Sequence, residues 1–218
     1  MAAPLPPRPP DATLRADAER NRDRIMEAAR RLYATEGLGI SMASVAMEAG
    51  VGRATLARRF RSKAELVAAV FAEHMNDYLT ATEAALADPD PWQGFSDYIT
   101  AVCAMQANDR GFADVLTISF PEAPELETLR GQALASFLKL ISNAKATGNL
   151  RPDFQSEDLF IVLLANAGVV SATGQVTSRG SSRLAGLMLR AFAAPGAPLP
   201  ELPPAPTSDD LNRAMVRA

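Results

Sequence analysis

The chain of 218 residues holds one cysteine, Cys103, and one histidine, His74. A lone cysteine allows no disulfide within the chain and no thiolate metal cluster. A lone histidine removes histidine-based metal sites and catalytic triads. Aromatic residues make up only 6 % of the chain while alanine and leucine abound, which favours helices over sheet. No glycine-rich phosphate loop and no carboxylate–histidine metal spacing is present. The acidic residues Glu157-Asp158, Glu125 and Glu127 fall near expected helix starts, where they complement the helix dipole. Neither a helical enzyme nor a bound cofactor or metal is expected. The opening MAAPLPPRPP lacks the apolar core of a signal peptide. The longest apolar run, near Leu159 to Ala172, reads as shorter than the roughly 18 residues a membrane span needs, and it contains Asn166. A cytoplasmic protein without membrane association is the expectation.

At 48 % hydrophobic residues, the chain can bury a core large enough for one large or two small domains. The net charge of −3 does not by itself suggest nucleic acid. Its distribution does. From Arg15 to Lys63 there are 11 basic against 6 acidic residues, and the remainder holds 11 basic against 19 acidic. A basic N-terminal quarter on an acidic body suits a DNA-binding module joined to a second domain.

Within that quarter, residues 41–63 read SMASVAMEAGVGRATLARRFRSK. Ser41 opens a short amphipathic helix with Met42, Val45, Ala46 and Ala49 on one side. Gly50-Val51-Gly52 breaks it, and a second short helix follows with Leu56 and Phe60 four apart on its inner side. Five of the eleven residues from Arg53 to Lys63 are basic and none is acidic. An arginine-rich face is often no more than a solvated surface. Here it sits on the helix after a glycine turn, opposite two large apolar anchors, which is the arrangement of a helix-turn-helix for the DNA major groove.

Taken in order, residues 1–14 are proline-rich and read as a disordered tail. Ala16 to Glu36 predicts a first helix with Ile25, Ala28, Ala29, Leu32 and Tyr33 inward, ended by Gly37 in a left-handed cap. It completes a three-helix module over 15–63. Ser62-Lys63-Ala64-Glu65 predicts a capping box that starts a long connector helix to about Leu86, with His74 on its inner side. Asp88-Pro89-Asp90-Pro91 stops that helix. Further helices are expected near 92–107, 111–119, 124–147, 156–173 (capped by Ser156) and 181–192. Residues 194–218 form a proline-rich tail with one weak helix near 211–217.

The residues Thr55-Leu56, Phe60, Ser62-Lys63 and Glu65-Leu66, preceded by Ala49-Gly50-Val51, resemble the DNA-binding domain of the tetracycline-repressor (TetR) family of bacterial regulators over about residues 18–70. The resemblance implies an all-α fold of about nine main helices. An N-terminal three-helix helix-turn-helix module would be joined to a larger helical ligand-binding and dimerisation domain over 64–193. By matching positions, Ser41, Thr55, Arg59 and Lys63 would contact phosphates, while Arg53, Ala54 and Arg58 would face base edges. Ala57 departs from the family, where an aromatic is common.

The resemblance also implies a homodimer on a palindrome. Leu159, Val162, Leu163, Ala167, Val170, Leu184, Leu187, Met188 and Leu189 are more apolar than a single face needs. Ala165, Gly168, Ala172 and Gly186 would permit close approach between the last two main helices of each copy. A small effector of unknown identity would bind among the middle helices. Candidate lining residues are Phe95, Tyr98, Val102, Cys103, Phe112, Leu116, Phe120, Phe137 and Ile141, with Asn166 as polar anchor. No charge stands out in these runs, which points to a neutral, mostly apolar ligand. The expected function is a ligand-responsive repressor; the alternative is an activator or a ligand-independent DNA-binding regulator.

Overall fold

The computed structural model describes residues 10–173 and 179–216, and ten α-helices carry nearly all of the regular structure in them. Helix α1 (Pro10–Glu36) crosses two short helices, α2 (Met42–Glu48) and α3 (Arg53–Arg59). Ile25, Ala28, Ala29 and Tyr33 of α1 are buried in one core with Val45, Ala46, Leu56 and Phe60. The helix starts inside the stretch expected to be a tail. Proline is tolerated at a first helical position, where its missing N–H has no intrahelical partner, and no other proline follows before Pro89. Residues 1–9 of the expected tail lie outside the described residues.

Gly37 ends α1 at φ 77°, as its position predicts, and Gly50 ends α2 at φ 61°. A Cβ at Gly50 would also stand 2.7 Å from the Arg24 guanidinium, which donates to the Gly50 carbonyl at 3.1 Å. Helix α4 (Lys63–Leu86) starts under the Ser62 hydroxyl, which accepts from Glu65 N at 3.1 Å. The returning half of the expected capping box is displaced by one residue. Glu65 Oε2 accepts from Arg61 N at 2.7 Å, because the extended backbone at Ser62 brings that amide within reach.

Helix α4 carries the chain into the body, where it packs along α5 (Pro91–Asn108) and α7 (Pro124–Ala146). Asp90 caps α5 by accepting from Trp92 N at 2.9 Å, and Pro91 follows in the first turn. Around α5 stand α4, α7, α8 (Ser156–Thr173) and α9 (Arg179–Phe192), while α6 (Arg110–Thr117) lies between α1 and α8. Ser156 is the first residue of α8 rather than its cap. Its hydroxyl bonds to Glu157, and the Asp158 carboxylate accepts from Gln155 N at 2.8 Å, a charged acceptor displacing a weaker one. Among the described residues, α8 is the one helix long and apolar enough to cross a membrane, which corrects the expectation that this run is too short. Asn166 in its middle is fully buried and donates to the Cys103 carbonyl at 3.0 Å and to Gln106 Oε1 at 2.9 Å, tying α8 to α5.

Residues 194–206 form no helix or strand, but they are not a loose tail. The carbonyls of Pro198, Pro200 and Pro203 accept from Trp92 Nε1 at 3.0 Å, Arg190 Nε at 3.2 Å and Arg183 at 2.6 Å. A prolyl residue keeps its acceptor while lacking a donor, so the prolines of this strap dock through carbonyls, while Ala194 N at its start donates to the Asn149 carbonyl at 2.7 Å. It passes over Gly186, where a Cβ would meet Pro203 Cδ at 2.7 Å. Gly186 therefore admits the chain's own strap, not a second copy. Helix α10 (Ser208–Met215), with a capping box between Thr207 and Asp210, then rests on α8.

The three-helix module meets the body mainly at α6. Gly111 lies so close to α1 that a Cβ would be 2.8 Å from Tyr33 Cβ and 2.7 Å from the Phe71 ring. One turn on, Asp114 Oδ2 accepts from Leu38 N at 2.6 Å, and Arg110 donates to the Thr35 carbonyl at 3.2 Å. Lys63 reaches back from α4 to donate to the Leu38 carbonyl. The loop after α1 is thus held from both α4 and α6.

Candidate functional site

Two surfaces stand out, one on each side of that joint. On α3, Leu56 and Phe60 are buried while Arg53, Ala54, Ala57, Arg58 and Arg59 are exposed. Helical geometry puts residues 53, 54, 57 and 58 on one outward face, because positions four apart align. Arg58 lies 3.4 Å from Thr55 Oγ1, and Arg22 stacks over the Phe60 ring at 5.2 Å, pinning the end of α3 to α1. Ser41 is exposed, but its hydroxyl already accepts from Ser44 N at 3.1 Å as the α2 cap. Lys63 is half-buried, with one of its three protons engaged by Leu38. The arrangement presents guanidinium forks outward from a braced helix, which is what bidentate contact with base edges or phosphates requires.

The second feature is a cavity of about 380 Å³ in the body. Met75 and Tyr78 of α4, Tyr98 of α5, Leu116 of α6, Phe137 of α7 and Leu163 of α8 form its walls. Leu134 and Phe160 stand at its mouth, both large and half exposed. Of the residues expected to line it, Tyr98, Leu116 and Phe137 do.

The others do not. Phe95 stacks on Trp92 at 5.8 Å and meets Phe154 edge-on at 5.4 Å. Val102 and Ile141 are plain core, and Phe112 fills the space between Phe71 and Tyr78, 6.3 Å from each ring. Cys103 is buried with its thiol pushed up to about 12 by loss of solvation, so it stays protonated and unreactive. Phe120 packs against the core in the turn after α6 and does not line the cavity. Asn166 is held by α5 instead of anchoring a ligand. His74 sits half-buried between Phe71 and Phe112, its Nε2 3.7 Å from Asp109 Oδ2.

The expectation of a charge-free cavity also needs correction. Glu127 and Arg130 border it. Their charges are matched: the Arg130 guanidinium donates to the carbonyls of Val115 and Ile118, and its Nε lies 3.7 Å from Glu127 Oε2. Glu127 Oε1 accepts from Phe120 N at 2.6 Å. The two side chains staple the turn between α6 and α7. Their spacing, three apart in a helical run, was the available signal. Tyr78 and Tyr98, whose hydroxyls bond to each other, are both buried, and burial raises both phenols above their ordinary value.

A braced, arginine-bearing motif helix on a helical body with an apolar cavity defines the class of helix-turn-helix DNA-binding regulators with a helical companion domain. Comparison with known proteins narrows the class. The family description "bacterial regulatory proteins, tetR family" matches residues 25–70, and "transcriptional regulator SbtR-like, C-terminal domain" matches residues 90–192. An HTH-type transcriptional regulator of Staphylococcus aureus (strain bovine RF122 / ET3-1) is 41 % identical over 68 residues. That match spans 31 % of this chain and 37 % of the relative's length. A bacterial regulatory protein of the tetR family from Rhodococcus RHA1 superposes with a TM-score of 0.57 at 20 % identity, covering 80 % of this chain and 97 % of the other. RolR in complex with the ligand resorcinol gives a TM-score of 0.51 at 17 % identity, covering 85 % and 98 %. At these identities the two structures share the fold. This chain belongs to the tetR family of bacterial regulatory proteins, a family of DNA-binding transcriptional regulators.

Proposed function

We propose that this protein is a ligand-responsive transcriptional repressor, a homodimer that holds a palindromic operator and lets go when a small, mostly apolar effector enters the cavity. The observation that carries the reading is the outward face of α3, with Arg53, Ala54 and Arg58 exposed opposite the buried Leu56 and Phe60. Arg53 and Arg58 read base edges, and Ser41, Thr55, Arg59 and Lys63 hold phosphates, the last with its remaining protons. One such helix makes too few base contacts for useful specificity, and two on a symmetric pair of chains supply it. The pairing surface is the outer face of α8 and α9. Ile161, Leu164 and Leu187 are exposed there at 62 %, 49 % and 44 %, beside the small exposed residues Ala165, Gly168 and Ala172. Apolar residues gathered on one face in this way mark a protein interface.

The effector acts through α4, which borders the cavity with Met75 and Tyr78 and ends beside α3 at Lys63. An effector that binds one α4 position better than the other shifts the population toward it. RolR, of like fold, holds resorcinol in its solved structure, which supports a ligand site in such a body. The site of action is the cytoplasm, where the operator is.

The test is fluorescence anisotropy on inverted repeats from the DNA flanking this protein's own gene, across a salt series. Tight binding that falls steeply between about 50 and 200 mM salt is expected. Absence of any salt-sensitive preference for an inverted repeat overturns the reading. Sedimentation at micromolar concentration should show a dimer, and a monomer overturns the interface. Transcription assays with and without ligand separate a repressor from an activator or a ligand-independent regulator.

A further inference from the structure

The polar groups around the cavity differ in what they have left to offer. Arg130 and Glu127 are engaged by each other and by the backbone of the turn after α6. The two charges at this edge of the cavity balance each other, so an anion or a cation taken from the cavity would compete with the Arg130–Glu127 pair. The tyrosines are different. Two phenols sharing one hydrogen bond use one of their two protons and one of their four lone pairs. Tyr78 and Tyr98 are exposed by only 6 % and 1 % and both line the cavity, so an acceptor for the remaining proton has to come from the cavity. A buried donor left unmatched is costly, and a ligand oxygen that accepts it removes that cost.

We propose that the effector is an uncharged, compact, largely apolar molecule carrying a hydroxyl group, and that this hydroxyl bonds to both Tyr78 and Tyr98. It accepts from one phenol and donates to the other, closing a ring of three hydroxyls, while Met75, Leu116, Phe137 and Leu163 enclose the hydrocarbon part. The inference rests on the cavity being the effector site. It also joins recognition to response. Tyr78 belongs to α4 and Tyr98 to α5, so a hydroxyl bonded to both adds a second link beside the direct tie between these helices. The added link favours one position of α4, the helix that begins at Lys63 just after α3 ends.

The test uses probes that differ by a single hydroxyl: thymol against p-cymene, and naphthol against naphthalene, titrated calorimetrically into the full chain. For at least one pair the hydroxylated member should bind about five- to tenfold more tightly to the wild type. That preference should collapse in Tyr78→Phe and in Tyr98→Phe, which keep both rings, with circular dichroism melts confirming that each variant folds. Equal binding within both pairs, no binding of either phenol, or a preference intact in both variants overturns the proposal. Naphthoate binding more tightly than naphthol overturns it as well. DNA is absent from this experiment. A protein that prefers phenols but ignores every inverted repeat sinks the repressor reading alone, and a repressor indifferent to the hydroxyl sinks this one alone.

Discussion

Arg53 and Arg58 stand exposed on α3 and make no ion pair among the described residues, whereas Arg130 lies under the turn after α6 with two carbonyls and Glu127 around it. The same side chain does opposite things in the two halves. A surface built for an absent partner leaves its donors unmatched, at little cost because water satisfies them. A half-buried guanidinium has less such freedom, and Arg130 spends two of its protons on the carbonyls of Val115 and Ile118. The guanidinium groups of α3 are thus left open to solvent, while that of Arg130 in the body is spent on the chain's own backbone.

Substitutions can break or sharpen that contrast. Phe137→Ala should have the largest effect on stability, about 3–5 kcal/mol by urea denaturation, since its ring stacks on Tyr98 at 5.1 Å and on Phe95 at 6.3 Å. DNA affinity per folded molecule should change little, and a large change would mean that body and module are not separate. Gly111→Val tests the joint between them. The added methyl groups have Tyr33 and Phe71 in their way, so a loss of about 1–3 kcal/mol is expected together with weaker operator binding. Unchanged binding would show that the module keeps its pose without α6.

Next comes the division of labour on the module itself. Arg53→Ala should relax preference at one base pair by about 1–3 kcal/mol, while Lys63→Ala weakens all sequences alike and lowers the salt slope. A site-by-site binding scan in which the two behave equally refutes the assignment. Arg130→Ala should leave the salt slope untouched and lower the melting temperature. The smallest effect belongs to the exposed pair Arg151–Asp153, with 2.5 Å between Arg151 and Asp153 Oδ2. The hydrogen bond from Arg151 holds the Asp153 carboxyl down to about 2, below its ordinary 3.8. A carboxylate depressed in the folded state contributes in full above its ordinary value, and the contribution is lost as pH falls through the folded one. Asp153→Asn should lower the melting temperature slightly at neutral pH and leave it nearly unchanged at pH values near the bottom of that window.

The module was legible because its decisive features are local. Leu56 and Phe60 four apart, the turn at Gly50 and the Ser62 cap are short-range patterns, and outward arginines follow once the inward anchors are set. The body was legible only as far as inward against outward. Phe95, Val102, Phe112 and Ile141 do face inward, but helical periodicity cannot separate a residue that fills the core from one that borders a cavity. That difference depends on which helices face each other across the bundle. The Tyr78–Tyr98 pair joins residues on different helices, so no spacing rule announces it. Gly111 and Gly186 were equally opaque, since what a glycine makes room for is decided by a distant segment. In one case that segment is α1, in the other the chain's own strap of prolines.

The contact at Gly111 bears on anyone who would graft a foreign DNA-reading head onto this chain. The natural cut falls before α4, yet the incoming first helix must lay a side chain shaped like Tyr33 into a notch one hydrogen wide, and offer Asp114 a backbone amide to hold. A donor chosen by operator alone would sit askew on its new shoulders, reading DNA well and ignoring whatever the body has to say.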